Sequence, residues 1–227
     1  MGGSVTPKDV IKGFAKPEEL LRHCRIQIKG SPIAAPPNGA APILTCVVAM
    51  GDQAVVGFTT GRSGEKGIKK HRDFASLTML GVQKPGLADN EFDAYYIPMV
   101  QTADVGGGNS HYRLPTAGGP DIMLTSQLSG CRFGTGSDAN GVTLVTHIQP
   151  NQGVQKDVRQ ADLAVNVAQG FVDQGGTTGS GFSMGGTYTQ GNKATIVGVR
   201  TGGVWHFYQQ DIGYSDGKEV ISGLTVV

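Results

Sequence analysis

Cys131 and His147 are the residues of this sequence whose types and spacing best suit a chemical reaction. The segment that carries them reads as two strands, Asp121–Leu128 and Val142–Gln149, joined by a turn-rich connection. If the strands pair antiparallel about Ala139, Cys131 lies directly opposite His147, and residues opposed in this way have Cβ atoms about 4.5–5.5 Å apart. The imidazole could then take the thiol proton, and the thiolate could attack a carbonyl carbon. The competing interpretation is a buried apolar Cys131 and a His147 satisfied by a backbone carbonyl.

The connection between the two strands, Ser129 to Gly141, decides whether that pair can form. Its tip, Asp138-Ala139-Asn140-Gly141, consists of residues that accept positive φ and therefore favours a tight turn. A slip of one residue in the register would place the thiol and the imidazole on opposite faces of the sheet.

Other reactive constellations find less support in the sequence. A zinc site would need pairs of ligands at short spacing, and His23-Cys24 is an isolated neighbour pair. Ser180 and Ser183 do not stand at the turn between a strand and a helix that a serine nucleophile needs. The glycine runs Gly106-Gly107-Gly108 and Gly175-Gly176 precede no helix with a phosphate-binding lysine. The sequence therefore predicts neither a metal nor another cofactor.

The composition indicates a globular protein with no bias toward nucleic acid or membranes. The chain has 227 residues, a net charge of +1, 16% charged residues and 36 glycines. No stretch reaches the ~18 consecutive apolar residues of a membrane span, and residues 1–17 lack the apolar region of a cleavable signal peptide. No linker or repeat divides the chain, so we expect one catalytic domain over residues 1–227, with a flexible terminus at 1–16.

The elements that must position the pair are mostly strands. A short helix is expected from Pro17 to about Cys24, because proline and acidic residues suit a helix N-terminus. A second helix is expected from Asp157 to Gly170, where alanines and valines recur at helical spacing. The remaining predicted strands are Ile43–Met50, Gln53–Thr60, Phe92–Gln101, Gly181–Tyr188, Ala194–Arg200, Val204–Gln210 and Glu219–Val227. This pattern predicts a strand-rich α/β fold, a β-sandwich of mixed sheets with one or two peripheral helices.

Long loops are predicted at 31–42, 61–75 and 102–120. The segment 61–72 carries five basic residues among three glycines, which is typical of a solvated loop or of a docking patch for an acidic partner. It has no interleaved aromatic residue of the kind that single-stranded nucleic acid requires. We expect any target selection to lie in the loops 61–75 and 102–120.

The motif Leu128-Ser129-Gly130-Cys131, followed sixteen residues later by His147 in a strand, resembles a known family. The family comprises bacterial glutamine deamidase toxins of the cytotoxic necrotizing factor catalytic-domain type, and the resemblance is closest to the branch of Burkholderia lethal factor. In that branch a threonine six residues before the cysteine offers its backbone carbonyl to the histidine, and Thr125 stands at this offset. Specific similarity covers about 30 of the 227 residues.

The resemblance implies an effector that converts a chosen glutamine of a host protein to glutamate. Cys131 would be the nucleophile, His147 the base and Thr125 the residue that orients His147. Because Thr125 would act through its backbone carbonyl, we expect Thr125→Ala to reduce activity far less than Cys131→Ala. The family implies a secreted bacterial protein without a cleavable signal peptide, acting in the host cytosol as a monomer and without a cofactor. Its targets would be of the GTPase or translation-initiation helicase class.

Four other functions fit the same sequence. Low charge and glycine-rich loops are typical of a non-catalytic binding or adhesin module, for which Cys131→Ser would have no effect. A cysteine protease or a transglutaminase would use the same Cys–His pair, and only the reaction product separates them from a deamidase. A structural coat protein is the most distant alternative.

Overall fold

The computed structural model describes residues 5–28, 39, 41–50, 54–59, 88–101, 111–129, 131–138, 140–149, 176–181 and 193–226. These residues form two helices and thirteen strands, arranged in two mixed sheets. The helices are α1 (Pro7–Gly13) and α2 (Pro17–His23). The strands are β1 (Ile26–Ile28), β2 (Ile43–Met50), β3 (Ala54–Thr59), β4 (Glu91–Ile97), β5 (Met99–Gln101), β6 (Tyr112–Leu114), β7 (Ile122–Thr125), β8 (Arg132–Asp138), β9 (Thr143–Gln149), β10 (Gly176–Gly181), β11 (Lys193–Thr201), β12 (Val204–Ser215) and β13 (Lys218–Val226). The predicted strand-rich α/β class is confirmed.

Both helices begin at residues that are typical of a helix N-terminus. The side chain of Thr6 caps α1 in a capping box with Asp9, and α1 lies within the segment 1–16 that we expected to be a flexible terminus. Pro17 opens α2, as predicted, and Cys24 caps its C-terminus. Neither helix is long and apolar enough for a membrane crossing.

The larger sheet has the order β1-β3-β2-β4-β7-β11-β12-β13. The pairs β1–β3 and β4–β7 are parallel and the other pairs are antiparallel. The predicted antiparallel pairing of the strands at 43–50 and 53–60 is confirmed as β2–β3, although the turn between them lies outside the described residues.

The smaller sheet has the order β10-β8-β9-β5, and β6 also pairs with β9. The pair β8–β9 is antiparallel, whereas β5 runs parallel to β9. His147 lies on β9 of this sheet, and β8 begins directly after Cys131.

The larger sheet is covered on both faces, so the described residues form three layers. On one face, both helices pack in an apolar core with strand residues such as Phe92 and Leu124. On the other face, the smaller sheet packs in a second core that includes Phe133, Ile196 and Phe207. Strand alternation explains this division, since Leu124 faces the helices while its neighbour Met123 faces the smaller sheet.

Several predicted boundaries differ from the structure. The single strand predicted at 92–101 is two strands in different sheets, because Pro98 has no N–H for a sheet ladder and the chain changes sheets there. The predicted loop 102–120 contains β6, and the predicted connection 129–141 contains β8. The helix at 157–170, the basic segment 61–72, and most of the loop at 31–42 and of the strand at 181–188 lie outside the described residues.

The pairing predicted for the strand Asp121–Leu128 is wrong. Its regular part, β7, pairs with β4 and β11 of the larger sheet, whereas Val142–Gln149 contains all of β9, which pairs with β8 in the smaller sheet. The prediction failed because the sequence of β8 is typical of a turn: Phe133 is the one large apolar residue in this strand, and the other residues are small or polar.

Candidate active site

A hydrogen bond between Thr125 and His147 joins the two sheets at the candidate site. Thr125 is the last residue of β7 in the larger sheet, and His147 lies on β9 in the smaller sheet. Thr125 Oγ1 is 2.7 Å from His147 Nδ1, and both side chains are fully buried. The two residues are 22 positions apart, so sheet packing brings them together.

The threonine contact differs from the one that the family resemblance implies. The expected partner of His147 was the backbone carbonyl of Thr125, but the structure uses the side-chain hydroxyl. This hydroxyl also donates to the backbone carbonyl of Ile97 at 2.8 Å. A hydroxyl has one proton to donate, so the Thr125 oxygen must accept from Nδ1–H of His147. That leaves Nε2 of His147 unprotonated and able to accept a proton.

The register of β8 and β9 differs from the predicted one. The two strands turn about Asn140 instead of Ala139, so Phe133 lies directly opposite His147. The direct opposition of Cys131 and His147 was therefore wrong. Because the resulting shift is two residues, Cys131 stays on the same face of the sheet as His147, at a diagonal position.

The Cys131 thiol lies against Met99. Cys131 Sγ is 3.9 Å from Met99 Sδ, and Met99 is the β5 partner of His147 on the side of β9 away from β8. The Cys131 side chain therefore reaches over β9 on the face that carries His147. Nε2 of His147 is buried and has no hydrogen-bond partner among the described residues, which include Cys131, so the thiol–imidazole hydrogen bond is not formed in this structure.

Burial sets the protonation states of both groups. Burial raises the pKa of the Cys131 thiol to about 11, and a backbone hydrogen bond at Ser129 opposes that shift. Burial lowers the pKa of His147 to about 3. Near pH 7 the thiol is therefore protonated and the imidazole is neutral, which is the state in which a histidine can act as a general base.

The motif residues before the cysteine carry the chain from one sheet to the other. Leu128 is buried and pairs with Ala194 of the larger sheet through two backbone hydrogen bonds of 2.8 and 2.9 Å. Ser129 is exposed, Gly130 lies outside the described residues, and Cys131 is 6% exposed. Leu128 thus anchors the motif, and Cys131 stands where the chain enters the smaller sheet.

Sequence reasoning missed Met99, although it lies against the thiol. The one local signal was its place after Pro98, which ends the preceding strand. Across the described ranges, no group of three or more histidine, cysteine, aspartate or glutamate side chains could hold a metal ion. All three cysteines are described, and none of them forms a disulfide.

No protein-family model matches this chain, and no curated protein matches it. Its fold is similar to the crystal structure of the C-terminal domain of CNFy from Yersinia pseudotuberculosis. The two chains are 8% identical, the match covers 97% of each, and the TM-score is 0.35. A likeness of this size supports no transfer of function.

Proposed function

We propose that this protein is a cysteine-dependent amidohydrolase that deamidates a glutamine side chain of another protein. The observation that carries the proposal is the Thr125–His147 hydrogen bond, which leaves Nε2 as a buried proton acceptor on the face that holds Cys131. The Leu128-Ser129-Gly130-Cys131 motif supports the choice of a glutamine side chain as the substrate.

In the first half-reaction, Nε2 of His147 takes the proton of the Cys131 thiol while the sulfur attacks the carboxamide carbon. Because the thiol is protonated and the imidazole neutral at rest, the proton moves during the attack and not before it. Backbone N–H groups beside Cys131 would stabilise the oxyanion. The C–N bond then breaks, and the nitrogen takes the proton from the imidazolium and leaves as ammonia.

In the second half-reaction, water hydrolyses the thioester. Nε2 accepts a proton from the water, the C–S bond breaks, and the proton returns to the sulfur as the glutamate product leaves. An amine in place of water would form a crosslinked glutamine, which is the transglutaminase reaction. Throughout, Thr125 acts as a positioning residue, since its oxygen accepts from Nδ1–H and keeps Nε2 directed toward the reaction.

The proposal extends to where the protein acts. We propose a bacterial effector whose substrate is a host protein of the GTPase or translation-initiation helicase class in the host cytosol. A bare Cys–His pair selects poorly among glutamines, so other surfaces must recognise the target protein.

Mass spectrometry of eukaryotic lysate tests the function directly. Lysate treated with the wild type should contain a glutamine converted to glutamate that is absent after treatment with Cys131→Ala or His147→Gln. Cys24→Ser is the matched control, since it removes a partly buried thiol at the end of α2 and should leave the conversion intact. Cleaved peptides would identify a protease and crosslinked glutamines a transglutaminase. Identical lysates with all variants would leave the binding module as the better hypothesis.

A further inference from the structure

We infer that Met99 is a positioning residue that holds the Cys131 thiol in a resting orientation and covers it until a substrate side chain displaces it. The inference deepens the proposed function and rests on it for the role of Met99 in turnover. It concerns a residue that neither the motif nor the spacing of Cys131 and His147 indicates.

The contact between the two sulfur atoms crosses the strand that carries the base. Met99 and Phe133 are the β-sheet partners of His147 on its two sides, and Cys131 precedes Phe133 by two residues. The distance of 3.9 Å between Cys131 Sγ and Met99 Sδ therefore spans β9. The thiol and the thioether meet on the face from which the His147 side chain projects.

On this face the Cys131 thiol is directed at the Met99 thioether, which is a weaker acceptor than the imidazole of His147. Cys131 donates to the thioether of Met99, whereas the buried Nε2 of His147 has no partner within the part of the chain that the structure describes. A thioether is a weak acceptor and a neutral imidazole nitrogen is a strong one. Displacement of the Met99 side chain would free the thiol to turn toward Nε2 and form the reactive pair.

Met99 also suits the role of a cover. It is partly exposed and packs on the core between the sheets, whereas Cys131 is 6% exposed. An unbranched methionine side chain has three rotatable bonds and adapts to new surroundings at low cost. A glutamine side chain, also unbranched, could occupy the space that Met99 vacates and meet both the sulfur and Nε2.

Alkylation of the whole protein by iodoacetamide tests the cover, with each cysteine followed by peptide mapping. Met99→Ala should speed alkylation of Cys131 by about tenfold or more, the effect of a barrier lowered by ~1.4 kcal/mol. Met99→Leu is the matched control, since it keeps the volume and should leave the rate close to that of the wild type. Cys46, buried in the core against the helices, should react equally slowly in all three proteins.

The pH profile of the same reaction tests the orientation. In Met99→Ala the thiol can pair with His147, so the midpoint pH for alkylation of Cys131 should fall below that of the wild type. Adding His147→Gln to Met99→Ala should restore the higher midpoint. A role in packing alone would change the rate without this dependence on His147.

Two results would overturn the inference. One is an unchanged Cys131 rate and midpoint in a folded Met99→Ala protein. The other is a parallel acceleration at Cys46, which would indicate general loosening. Neither result depends on turnover, so the lysate experiment can fail while the inference about Met99 stands, and the reverse is also possible.

Discussion

At the scale of single residues, the candidate site contains a neutral Cys131 thiol and a neutral His147 imidazole that are not hydrogen-bonded to each other. Thr125 fixes His147 through one hydrogen bond, and Met99 engages the Cys131 thiol through another contact. Burial favours the uncharged form of both titratable groups, raising the pKa of Cys131 and lowering that of His147. The site is thus poised for proton transfer during attack and does not contain a preformed thiolate.

The side-chain contact of Thr125 revises the effect expected from its substitution. Thr125→Val keeps the shape but removes the oxygen that accepts from Nδ1–H, so we expect deamidation to fall by about 10–100-fold, as for residues that orient a metal-binding histidine. Cys131→Ala should abolish deamidation. Thr125→Ser keeps the hydroxyl and should retain most of the rate in the lysate assay. Equal rates for Thr125→Val and Thr125→Ser would contradict a side-chain role.

The buried His147 should make stability depend on pH. Its pKa is about 3 in the folded protein and about 6.5 when unfolded, so between these values the unfolded state binds more protons. The free energy of unfolding should therefore decrease as the pH is lowered. From this residue alone the decrease should be about 2 kcal/mol from pH 7 to pH 5. Urea unfolding of the wild type and of His147→Gln at both pH values measures the difference. The same pH dependence in both proteins would show that His147 is not buried as a neutral group.

At the scale of elements, β11 connects the site to the core of the molecule. It pairs with β7, which ends at Thr125, and its Ala194 bridges to Leu128 of the motif. Midway along β11, Gly198 packs so closely that an added Cβ would lie 3.0 Å from Met123 and from Phe207. Glycine at this position therefore allows β11 to lie against the core between the sheets.

The valine side chain of Gly198→Val should crowd the Met123 and Phe207 side chains and destabilise the core between the sheets. Overpacking of this kind costs about 1–3 kcal/mol, which urea unfolding would measure. Thr201→Val, at the exposed end of the same strand, is the control and should change the free energy of unfolding by less than about 0.5 kcal/mol. A Gly198→Val protein as stable as this control would mean that the Met123 and Phe207 side chains can move aside without cost.

At the scale of the whole molecule, the helices and the site lie on opposite faces of the larger sheet. One of the side chains that connect the helical layer to the sheet is Gln210 on β12. Its Nε2 donates to the carbonyls of Leu21 at 2.5 Å and Cys24 at 2.8 Å, and its Oε1 accepts from the N–H of Ile26 at 2.9 Å. This one amide therefore forms hydrogen bonds with backbone groups at the end of α2 and at the start of β1.

Gln210→Leu should therefore cost stability without affecting the site. It would leave three backbone groups near α2 without their partner, and one buried group left in this way costs about 1–3 kcal/mol. Urea unfolding should show a loss of at least that size, while the deamidation rate of the folded protein should stay at the wild-type level. A matched loss of activity would indicate that the helical layer and the site are coupled through the sheet.

The sequence by itself determined the local features of this protein. Alternation and turn residues located most strands, and Pro17 located the start of α2. Tertiary structure decided what depends on contacts between distant segments: the sheet to which β7 belongs, the register that sets Phe133 opposite His147, and the contacts of Thr125 and Met99. The physical reason is that side-chain periodicity reports which face of a strand is buried, whereas strand partners are chosen by packing between segments far apart in the chain.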